Sequence, residues 1–180
     1  MNNLQQGLWK QFGASIGMFK NAVTLCPEET WNTNKYFFYI TYHCLVFLDY
    51  YLTIPPINYA AQLPFTIAAS ADEIDKEAID DIVPDRKYSK AELLQCLELA
   101  REKCRNLIAG LTQEQLIGPW RPASALPDDL VAGAVLDYSV LEILLYNMRH
   151  VQHHTAQLNV LLRREINDAA AWIAHAEDDL

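Results

Sequence analysis

The chain has 180 residues, of which 51% are hydrophobic, and it carries a formal net charge of −9 at pH 7. This length is sufficient for a substantial core, and we expect a single domain that spans residues 1–180. The acidic balance and the lack of any Lys/Arg cluster argue against binding to nucleic acid or to anionic membrane surfaces.

Two further features bear on location. The N-terminus lacks the positive run and apolar core of a signal peptide, and no window has the roughly 18 unbroken apolar residues of a membrane span. The four cysteines form no Cys-x-x-Cys pair and favour buried, reduced thiols; they are Cys26, Cys44, Cys96 and Cys104. We therefore expect a cytoplasmic protein, with a catalytic thiol as the alternative use of any one cysteine.

The first predicted helix covers residues 3–26, where apolar side chains recur at three- and four-residue steps. Pro27 ends it. Gly7, Gly13 and Gly17 lower the helix propensity of this segment, or alternatively let another helix approach closely.

The second predicted helix covers residues 34–53 and ends before Pro55 and Pro56. His43 stands in its middle, on a stripe that is otherwise apolar or aromatic. A polar side chain buried on such a stripe needs a partner.

Residues 54–88 form the least regular part of the sequence. Ser70 begins a capping-box pattern, from which we expect a short acidic helix over residues 74–82. We expect the rest to be loop, long enough to cover one end of a helical bundle, and to determine substrate specificity.

The third and fourth predicted helices share one start signal, since Ser89 and Ser139 are each followed three residues later by Glu. The third helix ends at Gly110. The fourth continues without Pro or Gly to about residue 165, a length of about 40 Å. A short tail helix then follows, with His175 on its surface.

Four long amphipathic helices without a strand pattern predict an all-α fold, a four-helix bundle in one domain. The long segment over residues 54–88 permits a crossover between helices two and three. Simple up-down-up-down topology is therefore not required by the pattern.

Three of the five histidines lie within residues 150–154. His150 and His154 are four apart, so a helix presents both imidazoles on one side, a spacing from which they can bind one metal ion. With His43 as the third ligand, the site would bind a divalent ion such as zinc or nickel and leave a position for water or substrate. Gln157 and Asn147 are candidate partners that orient the imidazoles.

Other interpretations of these residues stay open. A histidine on an apolar face is often a hydrogen-bonded core residue, and His153 could be the inward residue instead. Val151 follows His150, so the Glu of a metalloprotease motif is missing. Tyr39 and Tyr146, each one turn before a proposed ligand, either reach the site or pack in the core.

The chain resembles the DinB/YfiT-like superfamily of metalloenzymes. The matching features are the mid-helix Tyr42-His43-Cys44, the pair His150-x-x-x-His154 followed by Gln157-Leu158, the length and the four helices. The resemblance implies a four-helix bundle with up-down-down-up topology, often dimeric, in which His43, His150 and His154 hold a divalent ion.

The resemblance also implies a function. Some members are thiol S-transferases, which use the metal to hold or activate a low-molecular-weight thiol, and others resemble metal-dependent isomerases or hydrolases. We therefore expect a metal-dependent enzyme acting on a small molecule, as a homodimer. The alternative is a non-catalytic stress-response protein that binds a metal or a ligand. The sequence identifies no general acid or base.

Overall fold

The computed structural model describes residues 3–57, 59–121 and 137–180 of the chain. In chain order, the elements within these ranges are α1 (Asn3–Leu25), α2 (Glu28–Thr33), α3 (Lys35–Tyr51), β1 (Phe65–Ile67), β2 (Ile82–Pro84), α4 (Lys90–Gly110), α5 (Gln113–Ile117) and α6 (Val140–Ile166). The predicted all-α class is confirmed for this part of the chain, with one short antiparallel β1–β2 ribbon added. The four long helices begin and end within two residues of their predicted bounds.

Side-chain caps define the ends of the later helices. Ser89, Thr112 and Ser139 each accept a hydrogen bond from the backbone N–H three residues ahead, and the Glu or Gln at that position bonds back to the cap. These reciprocal bonds satisfy N–H groups that a helix start leaves unpaired. α6 ends at Asn167, whose φ of 55° is left-handed and turns the chain away from the helix axis.

The four long helices contact one another in a closed cycle. α1 packs against α4 and α6, and α3 packs against the same two helices. Within the described ranges, none of the helices has the length and hydropathy that crossing a membrane requires. Large aromatic side chains fill the core, and those with no measurable exposure are Trp9, Phe12, Phe19, Phe37, Tyr50 and Trp120.

An ion pair with a buried carboxylate joins α3 to α4. The Asp49 side chain is 8% exposed, and its Oδ1 lies 2.6 Å from Lys103 Nζ. The hydroxyl of Tyr59 donates to the other carboxylate oxygen at 3.0 Å, so the negative charge is fully partnered. The pair lets a charged group lie in the core, because a buried carboxylate without these contacts would be strongly destabilising.

The acidic helix predicted over residues 74–82 is wrong. A 3-10 turn at Ala71–Glu73 precedes this segment, which then bends without helix into β2. Asp75 and Asp80 explain the difference, because each accepts a hydrogen bond from the backbone N–H two residues ahead, at 3.0 and 3.2 Å. Such local side-chain bonds compete with the helical hydrogen-bond pattern.

The tail helix predicted after residue 167 is also wrong. Residues 168–180 have no helix and lie against α1, where Ala176 N donates to Lys10 O at 2.8 Å and Trp9 Nε1 donates to Asp178 O at 2.9 Å. A Cβ at Gly13 would lie only 2.8 Å from the Cβ of Ala176. The close approach anticipated at this glycine is therefore made by the extended tail rather than by another helix.

Candidate metal centre

Three imidazoles converge where α3 packs against α6. His43 comes from the middle of α3, and His150 and His154 from successive turns of α6. The Nε2 of His150 lies 3.0 Å from that of His43 and 3.0 Å from that of His154. One nitrogen from each of the three residues lies within 4.8 Å of the others, so this histidine cluster could hold a metal ion.

Two of the imidazoles are oriented by hydrogen-bond acceptors. His43 Nδ1 bonds to a carboxylate oxygen of Asp80, and His154 Nδ1 lies 2.7 Å from Gln157 Oε1. Facing an acceptor, each Nδ1 carries the ring proton, which leaves the Nε2 lone pair directed into the cluster. The role predicted for Gln157 is confirmed, whereas Asp80 was not identified from the sequence.

The β ribbon and the loop before it bring Asp80 to His43. The hydroxyl of Tyr42, next to His43 in the chain, donates to Pro64 O at 2.7 Å immediately before β1. Ala68 N, just after β1, donates to Asp81 O at 2.8 Å. The ribbon is thus attached to α3 one residue from the candidate ligand, and Asp80, two residues before β2, contacts His43.

His150 has a different environment. Its ring packs against Phe47 and Tyr51, with centroid distances of 5.7 and 6.1 Å, and its buried Nδ1 has no hydrogen-bond partner in the described part of the chain. Asn147 was predicted to orient this ring, but its Nδ2 instead donates to Leu48 O at 3.1 Å. That prediction is wrong, because neither Asn147 Oδ1 nor His150 Nδ1 has a hydrogen-bond partner among the described residues, and the Asn147 amide nitrogen joins α6 to α3.

Burial keeps two of the three imidazoles, those of His150 and His154, neutral. The pKa of His150 is lowered from 6.5 to about 2, first by burial and then by the neighbouring His154 and His43. Burial likewise lowers the pKa of His154 to about 4. Since only neutral imidazole can donate a lone pair to a metal, both residues are in the form that a ligand requires at neutral pH.

The number of ring protons available among the three Nε2 atoms favours a bound cation over hydrogen bonds alone. His43 and His154 direct lone pairs at His150, whose single Nε2 proton could be donated to only one of them. A bound ion would accept all three lone pairs and remove this conflict. Tetrahedral zinc at its usual distances of about 2.0–2.1 Å would separate the nitrogens by roughly 3.3 Å, close to the 3.0 Å that separates His150 Nε2 from each of the other two.

The other two histidines lie outside the cluster. His153 is exposed, and its ring packs against that of His154, with centroids 5.0 Å apart. The alternative in which His153 points inward is therefore not observed. His175 is exposed on the tail, as expected. Among the described residues, the cluster includes no fourth His, Cys, Asp or Glu ligand.

The two tyrosines proposed near the site differ in position. Tyr146 lines an open pocket next to His150, while its ring packs against Tyr51. Tyr39 instead hydrogen-bonds to Asp75, and the pKa of Tyr39 is raised by burial and by that carboxylate. Only Tyr146 therefore remains a candidate for contact with a ligand at the cluster.

The cysteines show no sign of catalytic activation. None forms a disulfide, and Cys26, Cys44 and Cys104 are buried. Burial raises the pKa of Cys26 to about 11, and it also raises the pKa values of the other three. Since the thiolate is the nucleophilic form, these residues are poor nucleophiles at neutral pH.

The chain was also compared with known proteins. A scan against protein-family models, a search of curated proteins and a search of solved structures each found no match. The chemistry available to the histidine cluster is therefore inferred from its own geometry, protonation and surroundings.

Proposed function

We propose that the chain is a metal-dependent enzyme in which His43, His150 and His154 bind one divalent ion. The observation that carries this proposal is the convergence of three Nε2 atoms whose neighbours, Asp80 and Gln157, hold the protons of two rings on the opposite nitrogens. Hydrogen-bonded core histidines would not need the acceptor nitrogens of two rings to face a third ring that has one proton to donate. A carboxylate behind a ligating histidine is a recurrent feature of protein metal sites.

The proposed ion is zinc or nickel. Imidazole nitrogen is a ligand that suits both, and both tolerate low coordination numbers in protein sites. The ion would act as a Lewis acid and would lower the pKa of a bound water or thiol. The chain's own residues would fix the three imidazoles and exclude water from the side packed against Phe47.

The proposed reaction is transfer to or from a small-molecule thiol, or hydrolysis of a small molecule. The coordination position left free of protein ligands among the described residues supports a reaction over a purely structural role. The residues themselves do not distinguish a transferase from a hydrolase. In the transfer reaction the thiol would displace a metal-bound water, and in hydrolysis that water would react with the substrate.

We further propose that the four long helices form a DinB-like bundle of up-down-down-up topology, with the residues between α3 and α4 as a crossover. The closed cycle of helix contacts supports this arrangement. A homodimer is proposed with it, and light scattering on the purified chain tests that assembly directly.

One observation favours a non-catalytic binding protein as the second candidate. Asp80 is the carboxylate that contacts the cluster, and both of its oxygens are occupied, one by His43 and the other by Ile82 N at 3.2 Å. It is therefore not free to act as a general base. A binder would retain the metal but consume no substrate, so turnover distinguishes the two candidates.

The test is metal analysis of protein purified without an affinity tag. Wild type and the control His153→Ala should hold close to one equivalent of metal, whereas His43→Ala should lose it, because two histidines hold a divalent ion far more weakly than three. Equal metal content in His43→Ala and His153→Ala would contradict the proposed site. Consumption of a thiol by an electrophilic acceptor, measured on the metal-loaded chain, would then identify a transferase.

A further inference from the structure

Beside the histidine cluster, α6 carries an open pocket of about 290 Å³. Its lining residues are Tyr146, Arg149, His150 and His153, at positions i, i+3, i+4 and i+7 of the helix. Residues at these spacings form one continuous strip on a helical surface. His150 belongs both to this strip and to the histidine cluster. The pocket is therefore next to the proposed metal position.

Arg149 gives this pocket a positive charge. Its guanidinium lies 5.6 Å from the ring centroid of Tyr146, and no carboxylate in the described part of the chain forms an ion pair with it. By contrast, Arg86 and Arg101 lie 2.7 and 2.5 Å from acidic oxygens. As far as the described residues go, the planar N–H groups of Arg149 are therefore available to a ligand.

We propose that this pocket binds a carboxylate of the small-molecule substrate, with Arg149 as its anchor, so that the other end of the molecule reaches the metal. The inference rests on the proposed metal-dependent function and specifies its substrate class. A guanidinium offers two parallel N–H donors that match the two oxygens of a carboxylate. His153, one turn further along α6, lines the same pocket and adds a second polar side chain.

Charge favours a carboxylate over a phosphate. Among the described residues, Arg149 is the one Lys or Arg that lines the pocket, and it balances a single negative charge. A phosphate monoester carries about −1.5 to −2 at neutral pH and would leave an excess negative charge beside a chain whose net charge is −9. The volume of about 290 Å³ lies at the small end of ligand pockets, in keeping with a compact molecule.

Cobalt(II)-loaded protein provides the test, because the visible absorption of cobalt changes when a thiol binds to it. Two probes are compared, 3-mercaptopropionate and 3-mercapto-1-propanol, which share the thiol and differ in the carboxylate. The variants are Arg149→Gln and, as a matched control, Arg164→Gln, which removes an exposed arginine of the same helix outside the pocket. Comparing both probes in each protein cancels the intrinsic difference between the two thiols.

Wild type and Arg164→Gln should bind 3-mercaptopropionate about 10- to 100-fold more tightly than 3-mercapto-1-propanol, the range expected for a charged hydrogen-bonded pair. Arg149→Gln should lose this preference while its affinity for 3-mercapto-1-propanol stays the same. A preference that persists in Arg149→Gln, or its absence in wild type, would overturn the inference and leave the metal site standing. Failure of wild type to bind cobalt, visible before any thiol is added, would overturn the metal site as well.

Discussion

Asp80→Asn changes one atom of the side chain that holds His43. The carboxylate Oδ1 of Asp80 accepts from Ile82 N at 3.2 Å, while Oδ2 contacts His43 Nδ1. In the variant, the amide oxygen would keep the bond to Ile82 N, and the amide NH₂ would then face the imidazole. An amide donor beside Nδ1 favours the His43 tautomer that carries its proton on Nε2. A protonated Nε2 has no lone pair to donate to the metal.

The size of the effect follows from this geometry. Losing the group that orients a ligating histidine costs about 10- to 100-fold in metal affinity, and we expect the upper end because the new amide favours the wrong tautomer. A 100-fold loss corresponds to about 2.7 kcal/mol. At saturating zinc, the stabilisation of the folded state by the metal should fall by about the same amount.

The assay is a zinc titration against a chromophoric chelator, followed by thermal unfolding with and without zinc. Asp81→Asn is the control, since it makes the same chemical change at the next residue, whose exposed side chain does not contact the cluster. The metal-free variants should unfold alike. Equal zinc affinity in Asp80→Asn and Asp81→Asn would refute the assigned role of Asp80.

Three further predictions concern stability, and denaturant unfolding measures each. Gly13→Ala should destabilise the fold, because the new Cβ would lie 2.8 Å from the Cβ of Ala176 in the tail. Gly7→Ala, whose Cβ would have no atom within 4 Å, should stabilise the fold by about 0.5–1 kcal/mol. Equal effects of the two substitutions would count against the packing of the tail on α1. Since burial lowers the pKa of His150 from 6.5 to about 2, the unfolded metal-free chain binds more protons than the folded chain between these values. Stability should therefore fall as the pH is lowered below 6.5, and more steeply in wild type than in His150→Gln. Lys103→Met leaves the buried Asp49 carboxylate without its cation and should cost about 3 kcal/mol. Lys20→Met removes the cation beside Glu98, which is 47% exposed, and should cost at most about 1 kcal/mol. A larger cost for Lys20→Met than for Lys103→Met would contradict the role assigned to burial.

The parts of the fold that could be predicted depend on neighbours in sequence. The capping boxes at Ser89 and Ser139 involve residues three apart, and the shared face of His150 and His154 follows from the period of a helix. His43 could be proposed because a histidine in the middle of an apolar stripe needs a partner. In each case a local rule determines which way a side chain points.

The parts that could not be predicted depend on contacts between distant segments. Asp80 lies 37 residues from His43 and belongs to a ribbon whose strands have only three residues each, too short for a periodic pattern. Likewise, the position of Ala176 is determined by the missing side chain at Gly13. Neither segment has a strong preference of its own, so the tertiary contact decides its structure.

The attachment of Asp80 to the β ribbon links metal affinity to the order of a surface segment. If the ribbon must be in place for His43 to be a good ligand, then by thermodynamic reciprocity a bound ion stabilises the ribbon by the same free energy. Backbone amides of Phe65–Ile67 and Ile82–Pro84 should then exchange with solvent more slowly when metal is bound. Metal occupancy thereby becomes a measure of how firmly the ribbon is folded against α3.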